Sequence, residues 1–333
     1  MKQNLWDNTD QIKKIRYRLN AYLPIAFKAI KNGVSIKGLI YSRFPYYFGV
    51  LKRPACITLE LTDACDLKCV YCNYPLFSNP RIFMSESVFS SLINRLDELK
   101  KIDRLIVSGG EPTLHPQFTM MSEELSKRTR FLSIVTNAQW KKESIAKSLL
   151  NNYNLIEISV DAGGEKMYED SRKGASFQLL IRNLEMLNRL KRETKSKSHI
   201  NLRFMIRPSN DKEKENEFSF WKNFCDTIMP QYVMKDFEMD YVDNVYQSKH
   251  IYTNSFPKCT LPFKNLQIRA NGNIPLCQVT GSAISIEKKR IIGNVFNDSL
   301  FELWNGKELS AIRSSHKNRN SEGMEVCKDC RGV

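Results

Sequence analysis

Short apolar runs alternate with amphipathic stretches from Pro54 to about Asp243. The strand-like runs cover residues 57–62, 104–108, 131–136, 155–160 and 202–206, with a weaker sixth at 235–242. Helical spacing fills the gaps: Val88, Leu92, Leu96 and Leu99 share one face, and Leu180, Leu184, Leu187 and Lys191 share another, with Leu179 and Ile181 beside it. Residues 213–229 read as a further helix, ended by Pro230. Strands that alternate with helices imply parallel strands covered by helices. About six such units are fewer than a closed (β/α)8 barrel needs. The expected fold is therefore α/β, a partial (β/α)6 TIM-like barrel over residues 54–245.

Residues 1–53 form a separate leader. A helix over 12–32 places Ile15, Leu19, Leu23, Ala26 and Ile30 on one face, with Lys and Arg interspersed, and an aromatic stretch follows at 44–48. Such a helix either packs on the main domain or lies on an anionic membrane surface or a partner. Residues 246–333 make a third, small segment that carries four cysteines.

Composition narrows the class. The chain has 333 residues, 42% hydrophobic and 26% charged, as a globular protein with a full core requires. No signal peptide is visible at the polar start, and no apolar run is long enough to span a bilayer, so the cytoplasm is the expected location. The excess of 51 Lys+Arg over 36 Asp+Glu gives a net charge of +15, which favours phosphates, anionic lipids or acidic substrates. No RNA-recognition, zinc-finger or helix-turn-helix signature accompanies it, so no specific nucleic-acid partner is expected.

The nine cysteines are too sparse for a disulfide scaffold and cluster instead. Cys65, Cys69 and Cys72 follow the first strand-like run. Three thiolates on one loop can grip a single metal centre, yet zinc asks for a fourth ligand and iron–sulfur clusters ordinarily use four cysteines. Three readings stand on the spacing alone: a cluster with one open iron, a zinc site completed from far away, or three reduced core thiols. Other polar features end the same strands: Gly109-Gly110-Glu111-Pro112, Thr136-Asn137, Asp161 and Arg207. All fall at carboxyl ends of parallel strands, where such folds bind ligands.

Cys65-x3-Cys69-x2-Cys72, followed by Gly-Gly-Glu-Pro at 109–112, resembles the radical S-adenosylmethionine (SAM) enzyme family. The Ile-Ser-Val-Asp run at 158–161 and Arg172-Lys173-Gly174 resemble recurrent positions of the same family. The resemblance implies that the three cysteines bind a 4Fe–4S cluster whose fourth iron is chelated by SAM. It implies an external electron donor such as flavodoxin or ferredoxin, and a 5′-deoxyadenosyl radical that takes hydrogen from substrate. Gly109 and Gly110 then let the backbone approach the methionine moiety, Glu111 accepts its ammonium, and Pro112 stiffens the turn. Tyr71 matches the aromatic position near adenine. Asn137 and Ser159 match contacts to ribose or carboxylate, Arg172 a partner of the cofactor carboxylate, and Asp161 a substrate contact. Strand-end hydrogen bonding, a surface salt bridge and a helix cap are the plainer readings of these last four.

Cys259, Cys277, Cys327 and Cys330, with the stretches 293–295, 299–304 and 309–313, resemble the SPASM/twitch extension of that family. Four thiolates complete a second, closed 4Fe–4S cluster, with zinc the rival occupant. Cys56 and Cys225 read as packing residues, His115 as a turn former, and His199, His250 and His316 as surface residues. Taken together, the expected activity is hydrogen abstraction from a sugar, aminocyclitol or nucleotide-sugar that is oxidised or epimerised. The alternatives are maturation of a ribosomal peptide by crosslinking or epimerisation, and a zinc-stabilised binding protein without activity.

Overall fold

A computed structural model describes residues 8–70, 72, 81–161, 164–206, 214–232, 259–277 and 291–320. The leader forms three helices: α1 (Asn8–Lys31), α2 (Ile36–Arg43) and the single turn α3 (Pro45–Phe48). α1 buries Ala21, Ile25 and Ala29, the last two in a cluster with Val34, Phe131 and Leu155. The stripe expected to pack is therefore the other one: Leu19, Leu23 and Ile30 are exposed. Two alanines flanking Ile25 let the helix axis come closer to the sheet than the bulkier stripe would allow.

The main domain runs β1 (Cys56–Glu60), β2 (Lys68–Cys69), α4 (Glu86–Glu98), β3 (Ile102–Ser108), α5 (Phe118–Arg128), β4 (Thr129–Thr136), α6 (Glu143–Asn152) and β5 (Leu155–Val160). It continues with α7 (Glu165–Ser171), β6 (Arg172–Lys173), α8 (Phe177–Glu193), β7 (His199–Ile206), α9 (Lys214–Trp221) and β8 (Thr227–Tyr232). Helix signals in the sequence become observed caps: Ser85 and Ser176 accept from the Val88 and Leu179 amides at the starts of α4 and α8. The predicted faces are the buried ones. Leu92, Leu96, Leu180, Leu184 and Leu187 are all fully buried, each contributing about 1.5–3 kcal/mol by removal from water.

Seven strands form one sheet in the order β8-β7-β5-β4-β3-β1-β9, every neighbouring pair parallel. Its last member, β9 (Asn265–Ile268), comes from the C-terminal segment and pairs with β1. β8 and β9 occupy opposite edges, so the sheet is an open, partial barrel. Two expectations change here. Pro230 does not end a long helix; it lies within edge strand β8, opposite Phe204, where an edge tolerates a missing amide donor. The strand expected at 235–242 and the boundary expected near 245 lie outside the described residues.

Beyond β9, the hairpin β10 (Asn273–Pro275)/β11 (Ile291–Asn294) leads to α10 (Leu300–Asn305) and α11 (Lys307–Asn318). Arg313 on α11 stacks 4.1 Å over the Trp304 ring and donates to the Trp304 and Pro262 carbonyls. Trp304 Nε1 donates in turn to the Leu51 carbonyl, tying this segment to the leader. His316 on α11 is buried rather than superficial, seven residues beyond Leu309 and four beyond Ile312 on the same apolar stripe. Among the described residues, no helix is long and apolar enough to cross a membrane.

Candidate active site

Backbone hydrogen bonds lace the cysteine loop to the strand ends. After β1, Thr62 Oγ1 donates to the Ile82 carbonyl at 2.7 Å and accepts from the Ala64 amide at 3.0 Å. Asp63 accepts from the Ile82 amide at 2.6 Å. The Gly110 and Glu111 amides donate to the Thr62 and Ala64 carbonyls at 2.9 and 2.7 Å. Loop and strand end meet so closely that neither glycine has room for a side chain. A Cβ on Gly110 would sit 2.1 Å from the Ala64 carbonyl oxygen, and one on Gly109, at φ +127°, 2.6 Å from Glu60 Cγ. The glycines thus fit the approach of two backbone segments, whatever else they admit.

Glu111 is a strut between the ends of β3 and β4. Its Oε1 accepts from the Thr113 amide, the Thr113 hydroxyl (2.6 Å) and the Thr136 hydroxyl (2.8 Å), and Oε2 accepts from the Asn137 amide at 2.8 Å. Burial pushes its pKa up, and these donors oppose the shift. Pro112 is buried at the start of a 3-10 turn, Pro112–Leu114. Asn137, also buried, donates from Nδ2 to Asp66 Oδ1 at 2.7 Å and approaches Cys65 Sγ at 4.0 Å. His115 shapes the turn as expected: Nδ1 accepts from the Gln117 amide, and Nε2 pairs with the Met84 carbonyl.

A second clasp holds the loop from the other side. β2 and β6 pair antiparallel, with Cys69 opposite Arg172. Arg172 donates to Asp161 Oδ1 at 2.6 Å and reaches Cys69 Sγ at 3.9 Å, while the Ser171 hydroxyl donates to Asp161 Oδ2 at 2.8 Å. Asp161 is fully buried and Arg172 almost so. The two residues expected to meet substrate and cofactor therefore meet each other. Ser159 lies two residues earlier, half-buried on the inner face of β5 in register with Arg203. Tyr71 and Arg207 lie outside the described residues.

Removing one partner of a buried ion pair leaves a charge with no counterpart. Asp161→Asn is expected to lower the unfolding free energy of the cluster-loaded protein by about 3–5 kcal/mol in a denaturant titration. A loss below about 1 kcal/mol, the range of exposed pairs, would contradict the clasp.

The thiols suit an iron–sulfur cluster. Cys65, Cys69 and Cys72 carry no disulfide, and Cys72 closes a turn by donating its amide to the Cys69 carbonyl at 3.0 Å. Burial pushes the Cys65 pKa up to about 12 and that of Cys69 to about 11, and the neighbouring thiols of the triplet add to both shifts. Left bare, these groups stay protonated; a cationic centre is what makes such thiols thiolates. Among the described residues, no three acidic, thiol or imidazole groups converge on one metal ion.

In the C-terminal segment, Cys259 is buried and its carbonyl accepts from Tyr46 Oη at 2.7 Å; Cys277, half-buried, follows β10. Cys327 and Cys330 lie outside the described residues. Cys56 is buried in β1, and Cys225 packs on the main core. His199, expected at the surface, is half-buried and hydrogen-bonded to Thr227 Oγ1 at 2.8 Å; His250 is outside the described residues. Sequence reasoning missed Asp66, held by Asn137, and Gln139, which pairs with the Ser176 backbone and draws α8 against the β4 end. A polar residue right after a strand end was the only signal available for Gln139.

Comparison with known proteins adds names to this geometry. Residues 59–216 match the model of the Radical SAM superfamily, and residues 259–331 that of an iron–sulfur cluster-binding domain named SPASM. Over 141 residues the chain is 30% identical to the mycofactocin maturase MftC of Mycolicibacterium smegmatis, covering 41% of this chain and 35% of that protein. Over 159 residues it is 28% identical to the cysteine-type anaerobic sulfatase-maturating enzyme of Clostridium novyi, covering 43% and 42%. The alignments thus span well under half of these curated relatives. A solved structure titled native anSMEcpe with bound AdoMet and Cp18Cys peptide superposes with a TM-score of 0.58 at 17% identity, covering 82% of this chain and 88% of that one. At that identity the likeness concerns the fold.

Proposed function

Because the chain belongs to the radical SAM superfamily and carries a SPASM iron–sulfur domain, we propose that it is a maturase that abstracts hydrogen from a peptide or protein substrate. The family makes 4Fe–4S clusters and SAM its cofactors. When bound, the rim cluster supplies the electron for reductive cleavage of SAM. Everything else belongs to the protein. Cys65, Cys69 and Cys72 hold the cluster, and the Gly109–Pro112 backbone fixes their loop. Glu111, Asn137 and Asp66 present carboxylate and amide groups beside it, for the cofactor's ammonium and hydroxyls. Arg172, anchored by Asp161, keeps a guanidinium against Cys69. Cys259, Cys277, Cys327 and Cys330 hold the second cluster.

The observation that carries the substrate class is the sequence match to proteins named as maturases, one of them acting on a sulfatase. The sugar, aminocyclitol or nucleotide-sugar expected from the sequence gives way to it. Half-buried Ser108, Ser159 and Arg203 along the inner strands supply polar contacts of the kind an extended peptide uses. The test incubates reduced, cluster-loaded protein and SAM with candidate precursor peptides, and in parallel with aminocyclitols and nucleotide-sugars. A peptide that loses a pair of hydrogens, or takes up solvent deuterium at one α-carbon, together with 5′-deoxyadenosine, is expected. Turnover of a sugar with every peptide unchanged would overturn the assignment.

A further inference from the structure

The leader has a property that the active site does not use. Of its 11 Lys+Arg, only Asp7 and Asp10 offset the charge, so residues 1–53 hold +9 of the chain's +15. Within the same stretch lie ten of the large hydrophobic side chains exposed among the described residues, including Phe27 at 69% and Tyr47 at 86%. On α1 they follow one stripe, Leu19, Tyr22, Leu23, Phe27 and Ile30, facing away from the buried row Ala21, Ile25 and Ala29. Ile36 and Ile40 on α2, and Phe44, Tyr47 and Phe48 after it, are exposed as well.

This surface has a definite place. α1 rests on Phe131 and Leu155, at the amino ends of β4 and β5, while Cys65, Cys69 and Cys72 lie beyond the carboxyl end of β1. Beside it opens a cleft of about 490 Å³ that shares the first turn of α2. Lys37, Lys52, Arg53, Lys101 and Arg130 line it, and its one acidic residue, Asp103, pairs with Arg130 at 3.2 Å. Amphipathic helix, aromatic side chains and a cationic cleft coincide at one end of the barrel.

We propose that the leader docks this end of the protein on an anionic phospholipid bilayer. The α1–α3 hydrophobic side chains enter the headgroup boundary, and the lysines and arginines of the cleft receive lipid phosphates. Apolar burial and attraction to an anionic surface add in such helices, and neither suffices alone. A second copy of the chain fits less well, because facing two surfaces of +9 opposes association. Docked in this way, the protein turns its cysteine rim toward the aqueous phase, where a peptide arrives.

Vesicle flotation of the full, cluster-loaded chain tests the proposal independently of its substrate. Binding to vesicles containing phosphatidylglycerol is expected, with none to pure phosphatidylcholine, and it weakens in high salt. The double variant Leu23→Ser/Phe27→Ser is expected to weaken binding roughly a hundredfold. Lys52→Gln/Arg53→Gln/Lys101→Gln is expected to do about the same. Both variants alter exposed side chains at the end of the barrel opposite Cys65, Cys69 and Cys72, so unfolding midpoint and 5′-deoxyadenosine formation should stay at wild-type values. Equal binding to both vesicle types, or to neither, overturns the proposal. So does a dimer in sedimentation that Leu23→Ser/Phe27→Ser dissociates, which would assign the face to a second copy.

Discussion

Cys69→Ala abolishes 5′-deoxyadenosine formation and lowers the iron of the reconstituted protein from about eight to about four per chain. Two structural facts make the effect total rather than partial. Cys69 is the most buried thiol of the triplet and the residue that β6 clasps through Arg172. Water has little access to replace the lost ligand at this buried position. Cys327→Ala is the matching control for the second cluster. It also loses about four irons yet keeps cofactor cleavage, while turnover of the true substrate falls. Equal loss of cleavage in both variants would mean that the two cysteine sets are not separate sites.

Gly110→Ala is the second large effect, and it acts without touching any ligand. The added methyl would lie 2.1 Å from the Ala64 carbonyl oxygen and 2.6 Å from two backbone carbons, so no side-chain rotation relieves it. Strand end and loop must part, breaking the Gly110–Thr62 and Glu111–Ala64 hydrogen bonds that set the loop. Overpacking of this kind costs about 1–3 kcal/mol and more against fixed backbone. The variant is expected to unfold earlier in denaturant and to reconstitute with substoichiometric rim iron. Gly164→Ala serves as the control: nothing lies within 4 Å of its added methyl, and a change below about 1 kcal/mol is expected there. Wild-type iron content in Gly110→Ala would show that the loop is set by the metal alone.

The sequence shows why these residues stand out. β1, β3, β4, β5 and β7 were legible because each is an apolar run between amphipathic helices, and the period itself dictates a parallel sheet. β8 was not legible, because Pro230 reads as a helix stop unless the strand is known to be an edge. β9 is four residues long and far from its partner β1 in sequence, so only tertiary pairing reveals it. In the leader the large residues Leu19, Leu23 and Ile30 mark one face, but the contact is made by Ile25 and Ala29 on another. His316 was readable in hindsight, since it continues the stripe of Leu309 and Ile312.

In the site, spacing alone exposed Cys65, Cys69, Cys72 and the Gly-Gly-Glu turn. The Glu111–Asn137 strut, the Asn137–Asp66 hydrogen bond and the Asp161–Arg172 clasp join residues from separate strands, and no local pattern encodes such joins. Asp161 illustrates the point. Its position at a strand end suggests a substrate contact; that it is completely buried and paired with Arg172 shows only in the structure.

On the proposed function, the rim holds an iron–sulfur cluster that supplies the electron for SAM cleavage. The most direct test is the wild-type protein, reconstituted anaerobically, reduced with dithionite and mixed with SAM, with 5′-deoxyadenosine quantified against iron and sulfide. The account predicts about eight irons with matching sulfide and at least one 5′-deoxyadenosine per chain. Zinc without acid-labile sulfide, or a fully iron-loaded protein that leaves SAM intact, would contradict it.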